Sequence, residues 1–258
     1  VTVTTWVTGE VKVDRSLLLD LGAPAAAGLP DEKVWVPVLA HRLDHPDRAP
    51  WLVDSGFDST FAERRRGNIG GLAVLAAPFM EIARQAPGAD AAHQLGADRA
   101  RLGGVLFTHL HLDHTAGVPG LPANARYVAG AGTLEDAYES SIVAHIDHLR
   151  TVARLEAIDF SRAPALAPLG PAVDLFGDGS VWAIHTPGHS RGHVSVLVNA
   201  ASGPVLLVGD ASHTRWGWEH DVAPGKVTDR SASQRSLAQL RAFVAKYPQV
   251  RVVFGHEQ

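Results

Sequence analysis

A short apolar run, Val105-Leu106-Phe107, leads without a break into Thr108-His109-Leu110-His111-Leu112-Asp113-His114, and this junction restricts the fold more than any other stretch of the chain. Val105–Phe107 reads as a short buried strand. Side chains two apart at a strand's end point to one side, so His109 and His111 converge on one ion. Asp113 and His114 follow where the chain turns, and face a second ion. Imidazole and carboxylate suit zinc, and also iron, manganese or cobalt. The alternative, surface histidines capping a helix, crowds three imidazoles and a carboxylate to no purpose. With 14 histidines and no cysteine, the chain offers a metal only nitrogen and oxygen, and forms no disulfide.

Around this junction the pattern alternates between strand and helix. Residues 1–14, Val34–Ala40 and Trp51–Val53 read as strands, the last ending in the turn Asp54-Ser55-Gly56. Gly71–Gln85 carries Leu72, Leu75, Phe79 and Ile82 at helical spacing, and Asp90–Leu95 begins another helix. Arg126–Ala129 is a strand and Thr133–Ile158 a long, largely helical stretch. Val181–Ile184, His193–Val198, Val205–Val208 and Arg251–Phe254 are strands, and Ser233–Lys246 is an amphipathic helix. Strands and helices mixed through both halves predict a layered α/β architecture. The reading is one domain over residues 1–258, with 133–169 a helical insertion or cap.

The run Thr108–His114 resembles the signature of the metallo-β-lactamase superfamily, and the later motifs follow in that family's order. His185-Thr186-Pro187-Gly188-His189, Val208-Gly209-Asp210 and Phe254-Gly255-His256 resemble its remaining ligand motifs, and Asp54-Ser55-Gly56 its early strand-end turn. The resemblance spans the chain from about residue 34 onward. It implies an αββα four-layer sandwich with metals at one edge of the two sheets. It further implies that His109, His111 and His189 hold a first ion, that Asp113, His114 and His256 hold a second, and that Asp210 bridges them. Two divalent ions, zinc first among the candidates, would lower the pKa of a shared water from about 15.7 toward 7 and supply hydroxide for hydrolysis. Asp113 or Asp210 would carry the proton to the leaving group.

Gly209-Asp210-Ala211-Ser212-His213-Thr214 resembles the acyl-homoserine-lactone lactonase branch. There the residue three after the bridging aspartate is typically a tyrosine that hydrogen-bonds the lactone carbonyl. Here it is His213, whose readings are that same catalytic contact or a residue on the rim. Trp216 and Trp218 either line an acyl pocket or belong to the core. Lactone or carboxylic ester hydrolysis leads, with phosphotriester or thioester hydrolysis as the alternative and a single-iron dioxygenase of the same fold behind both.

The remaining polar candidates divide less sharply. Asp54 is either the partner that fixes a histidine's tautomer or a carboxylate satisfying its own turn. His185 reads as structural, and His193 as a support for the site or a core residue. His145 and His148 have metal-like spacing, but solvent-facing positions are the simpler reading. His41, His45 and His93 call for no special role.

A net charge of −4 leaves no basic surface for nucleic acid, so the expected partner is a small-molecule substrate. No apolar run is long enough to span a bilayer, and Val1–Trp6 lacks the features of a signal peptide, so the expectation is a cytoplasmic protein without a membrane partner. The sequence leaves the oligomeric state open.

Overall fold

Period-two alternation builds two sheets. The protein is described by a computed structural model covering residues 1–64, 66–69, 83–135 and 146–258. β1 (Thr2–Asp14), β2 (Lys33–Asp44), β3 (Trp51–Val53), β4 (Ala83–Arg84), β5 (Gly104–Leu106), β6 (Arg126–Gly130) and β7 (Leu155–Ile158) make a 7-stranded sheet in the order β4-β1-β2-β3-β5-β6-β7. β8 (Ala172–Asp174), β9 (Val181–His185), β10 (Val194–Ala200), β11 (Gly203–Leu207) and β12 (Arg251–Val253) make a 5-stranded sheet in the order β12-β11-β10-β9-β8.

Successive side chains on each strand enter different layers. Leu43, Val53, Leu106 and Val128 point inward and meet Val181, Ala183, Val196, Val205 and Leu207 of the other sheet. Their neighbours Leu52, Val105 and Tyr127 point outward onto Ala91, Leu95, Leu102 and Leu121. On the far side, Ile184, Leu197 and Leu206 pack on Leu240 and Phe243 of the helix Arg230–Lys246. That helix starts where the Asp229 carboxylate accepts from the Ala232 amide at 2.9 Å. Each fully buried leucine on it, such as Leu237 or Leu240, contributes roughly 2 kcal/mol. The result is the αββα sandwich, helices outside and sheets within. No helix among the described residues is long and apolar enough to cross a membrane.

Strand direction gathers the polar turns at one edge. β3, β5, β6 and β7 run parallel to one another, as do β11 and β12. The chain leaves β3 at Asp54, β5 at the histidine run, β11 at Asp210 and β12 just before His256. The two sheets are joined there, where the Val194 amide donates to the Thr108 carbonyl at 2.8 Å.

Two helical readings meet a different outcome. Leu155–Ile158, read as the end of a long helix, is instead the edge strand β7, paired in parallel with Tyr127–Gly130. Hydrogen bonding to an open sheet edge outweighs local propensity there. Ala83–Arg84, at the end of the stretch Gly71–Gln85, pairs with Glu10 and Val11 as β4. Residues 71–82 of that stretch, with Leu72, Leu75, Phe79 and Ile82, lie outside the described residues, as does His145.

Candidate metal centre

The turn after β3 sets the first support. Asp54 and Gly56 take positive φ values of 59° and 62°. A β-bulge in β1 carries Thr8 against Gly56, where a Cβ would stand 2.0 Å from the Thr8 hydroxyl, so only glycine fits. Held this way, Asp54 accepts hydrogen bonds from the Thr108 amide, the Thr108 hydroxyl and Nδ1–H of His114, each at 2.8 Å. The Thr108 hydroxyl in turn accepts from Nδ1–H of His109 at 3.1 Å. Both rings are therefore fixed with Nε2 free to face the cleft. The tautomer-fixing reading of Asp54 is the one the geometry bears out.

The edge brings the predicted residues together. One cluster holds His109, His111, His189 and Asp210, and a second holds Asp113, His114 and His256, with the candidate atoms within 4.8 Å of one another in each. Asp210 Oδ2 is 3.6 Å from His109 Nε2, 3.3 Å from His189 Nε2 and 3.5 Å from His256 Nε2. Its Oδ1 is 3.6 Å from His114 Nε2. Asp113 Oδ2 is 3.4 Å from His256 Nε2 and 3.7 Å from His114 Nε2. Ligands held about 2.0–2.1 Å from a tetrahedral zinc lie about 3.3 Å from each other, and these separations have that scale. Nε2 of His109, Nε2 of His114 and Oδ1 of Asp210 are buried with no hydrogen-bond partner. Orphaned buried acceptors are costly, and a divalent cation among them would remove the cost. The donor set therefore fits a metal pair.

The electrostatics agree. Burial, joined by the neighbouring imidazoles, holds His109 and His189 well below the ordinary histidine value and takes His111 down to about 4, so these rings are neutral donors. For His256 burial pulls the same way, but Asp210 and Asp113 outweigh it and push the ring up to about 9. Around His114 burial is likewise overcome, by Asp54, Asp113 and Asp210. Burial alone would raise Asp210, yet His213, His256 and His114 hold it far below the carboxylate range. This half of the pocket attracts positive charge, and a cation answers that field.

Asp210 is also held through its backbone. Its amide donates to His193 Nε2 at 3.0 Å, and His193 Nδ1–H donates to the Thr186 hydroxyl at 2.9 Å. Thr186 donates to Ser195 and Ser195 to the Val208 carbonyl, each at 2.9 Å. Burial keeps His193 neutral, with a value near 3, as an accepting Nε2 requires. His193 thus supports the site. Gly255 lies against the carboxylate itself, since a Cβ there would stand 2.5 Å from Asp210 Oδ1.

Other candidates separate clearly. His213 is buried against Asp210 at 3.1 Å and is no rim residue. Trp216 lines a cavity of about 370 Å³ that reaches His256, whereas Trp218 packs its ring on Phe254 in the outer core. His185 contacts the Arg191 carbonyl and stacks on Phe160, a structural role. His148 is buried rather than solvent-facing, with Nδ1 3.3 Å from the Thr115 hydroxyl. His41 meets Thr5, His45 meets Asp178 and His93 meets Asp90, and none of the three belongs to either cluster. What sequence reasoning missed is the hydroxyl of Thr108, together with the Leu18 and Pro37 carbonyls that anchor His213 and His256 at 3.0 Å. The threonine had a signal in its place beside the first histidine. The carbonyls had none, because every residue carries one.

A sandwich with such clusters at its edge defines a metal-dependent hydrolase. Residues 36–256 match the metallo-beta-lactamase superfamily, and the chain belongs to it. It is 31% identical over 229 residues to the N-acyl homoserine lactonase AttM of Rhizobium johnstonii, covering 86% of this chain and 82% of that protein. It is 26% identical over 247 residues to an N-acyl homoserine lactonase of a Bacillus species, covering 93% and 89%. A solved N-acyl homoserine lactone hydrolase with N-hexanoyl-L-homoserine at its catalytic metal centre has the same fold. Its TM-score is 0.77 at 22% identity, over 99% of this chain and 92% of that one.

Proposed function

We propose that this protein hydrolyses a lactone, with an acyl-homoserine lactone as the leading candidate, at a centre of two divalent ions. His109, His111 and His189 would hold one ion, Asp113, His114 and His256 the other, with Asp210 between them. Zinc suits these donors, as do iron, manganese and cobalt. The observation that carries the reading is the convergence of buried, unpartnered ligand atoms on Asp210. The similarity to AttM over 82% of its length supports the lactone as substrate.

When bound, such a pair supplies an activated water and polarises the substrate carbonyl. Asp113, Asp210 and His213 form the reacting wall. Asp113 is the carboxylate that can reach the substrate, its side chain 21% exposed against 3% for Asp210. It takes the proton released by the attacking water and passes it to the ring oxygen as the acyl C–O bond breaks. Leu18, Leu19, Leu29, Trp35 and Trp216 line the cavity beside His256 and receive the acyl chain. The lining excludes water from that chain without specifying its length.

Turnover of lactones, carboxylic esters, thioesters and phosphotriesters by zinc-, manganese- and iron-loaded protein tests this. Acyl-homoserine lactones should give the highest kcat/KM. A clear preference for a thioester or phosphotriester, with lactones inert, would overturn the substrate assignment.

A further inference from the structure

His213 stands among the ligands in a manner that the seven-residue centre leaves out. Its Nδ1 lies 3.0 Å from the Leu18 carbonyl, which can only accept, so that nitrogen carries the hydrogen. Its other nitrogen, Nε2, is aimed at Asp210 Oδ2 from 3.1 Å. A hydrogen bond donated to a lactone carbonyl would need a second hydrogen, on Nε2.

His256 provides the comparison. It is anchored by the same device, Nδ1–H to the Pro37 carbonyl at 3.0 Å, and aims Nε2 at the same oxygen from 3.5 Å. The two residues are also tied backbone to backbone, the His256 amide donating to the His213 carbonyl at 2.9 Å. Asp210 Oδ2 is thus ringed by Nε2 of His109, His189, His213 and His256 at 3.1–3.6 Å. Asp210, His213 and His256 by themselves form a group able to hold an ion, with ligand atoms within 4.8 Å of one another.

We infer that His213 is a metal ligand through Nε2, on the ion that it shares with Asp210 and His256. The inference rests on the proposed two-ion centre. It raises the donors around that ion by one imidazole and makes the Leu18 carbonyl part of the support of the centre. Leu18 also lines the apolar cavity, so the acyl site and the metal site share a wall.

The direct test needs no mutation. In zinc-loaded protein, long-range proton–nitrogen correlation spectra distinguish a metal-bound ring nitrogen from one bearing hydrogen, and His213 Nε2 should show the metal-bound shift. A hydrogen on His213 Nε2 in the loaded protein would overturn the inference. A second arm measures metal affinity by chelator competition in wild type and His213→Gln, whose amide can donate a hydrogen bond but ligates poorly. The variant should lose at least the roughly 10- to 100-fold that removing a ligand's supporting partner costs, in affinity for one ion, and keep the other. Cobalt-loaded variant should absorb more strongly in the visible, as coordination number falls. Two ions bound at wild-type affinity with an unchanged cobalt spectrum would remove His213 from the ligands while leaving the two-ion centre intact. Failure of the wild type to bind two ions would defeat that centre as well.

Discussion

Replacing Asp54 by asparagine tests how far the metal centre depends on a residue that touches no metal. Asparagine accepts a positive φ nearly as readily as aspartate, so the turn at 59° survives. One side-chain oxygen continues to accept from the Thr108 amide. The other position becomes an NH₂ group facing the Thr108 hydroxyl and His114 Nδ1, which both donate to it in the wild type at 2.8 Å. To avoid donor against donor, the His114 hydrogen must move to Nε2, the nitrogen that stands 3.6 Å from Asp210 Oδ1. A lost charge-assisted hydrogen bond is worth about 2 kcal/mol, which is roughly 30-fold in affinity. Chelator competition followed by metal analysis should therefore find one ion of Asp54→Asn held as in wild type and the other weakened by roughly that factor. Equal wild-type affinity at both sites would refute the reasoning. So would selective loss of the ion on the His189 side.

Three further outcomes can be measured. Asp210→Asn should fold normally by circular dichroism, yet lose on the order of 10³-fold in kcat/KM, about 4 kcal/mol, because the carboxylate that lies against histidines of both clusters is gone. Gly188→Ala should lower stability by roughly 3 kcal/mol and Tm by roughly 6–12 °C in a thermal melt, since φ is 136° and the new Cβ would lie 2.1 Å from the Ser233 amide nitrogen. The last concerns pH. Burial takes His41 from 6.5 down to about 3, so between those values the unfolded chain binds the proton and the folded chain does not. Stability therefore falls as pH drops below 6.5, by about 1.4 kcal/mol at pH 5.5 for this residue. Urea denaturation of metal-free protein at pH 7.5 and 5.5 should show His41→Gln losing that much less than wild type.

Read from the chain alone, the ligand chemistry was accessible because it resides in side-chain type and order. An apolar strand ending in His109, His111, Asp113 and His114 says what can bind there, and His189, Asp210 and His256 each follow a strand or a strand-end turn. Short apolar runs likewise disclosed strands, because a strand buried between layers needs an apolar side chain on both faces, as Val105 and Leu106 provide. Only the tertiary structure decided which nitrogen of His114, His213 and His256 faces the cleft. That choice belongs to the Asp54 carboxylate and to the carbonyls of Leu18 and Pro37, which lie 60, 195 and 219 residues from the rings they hold. It also turned Leu155–Ile158 from helix to strand, since the open edge of β6 offered hydrogen bonds that no local pattern reveals. A side chain's identity is written locally, whereas its hydrogen-bond partner is whichever group the packed layers bring within 3 Å of it, and backbone carbonyls leave no mark in a sequence.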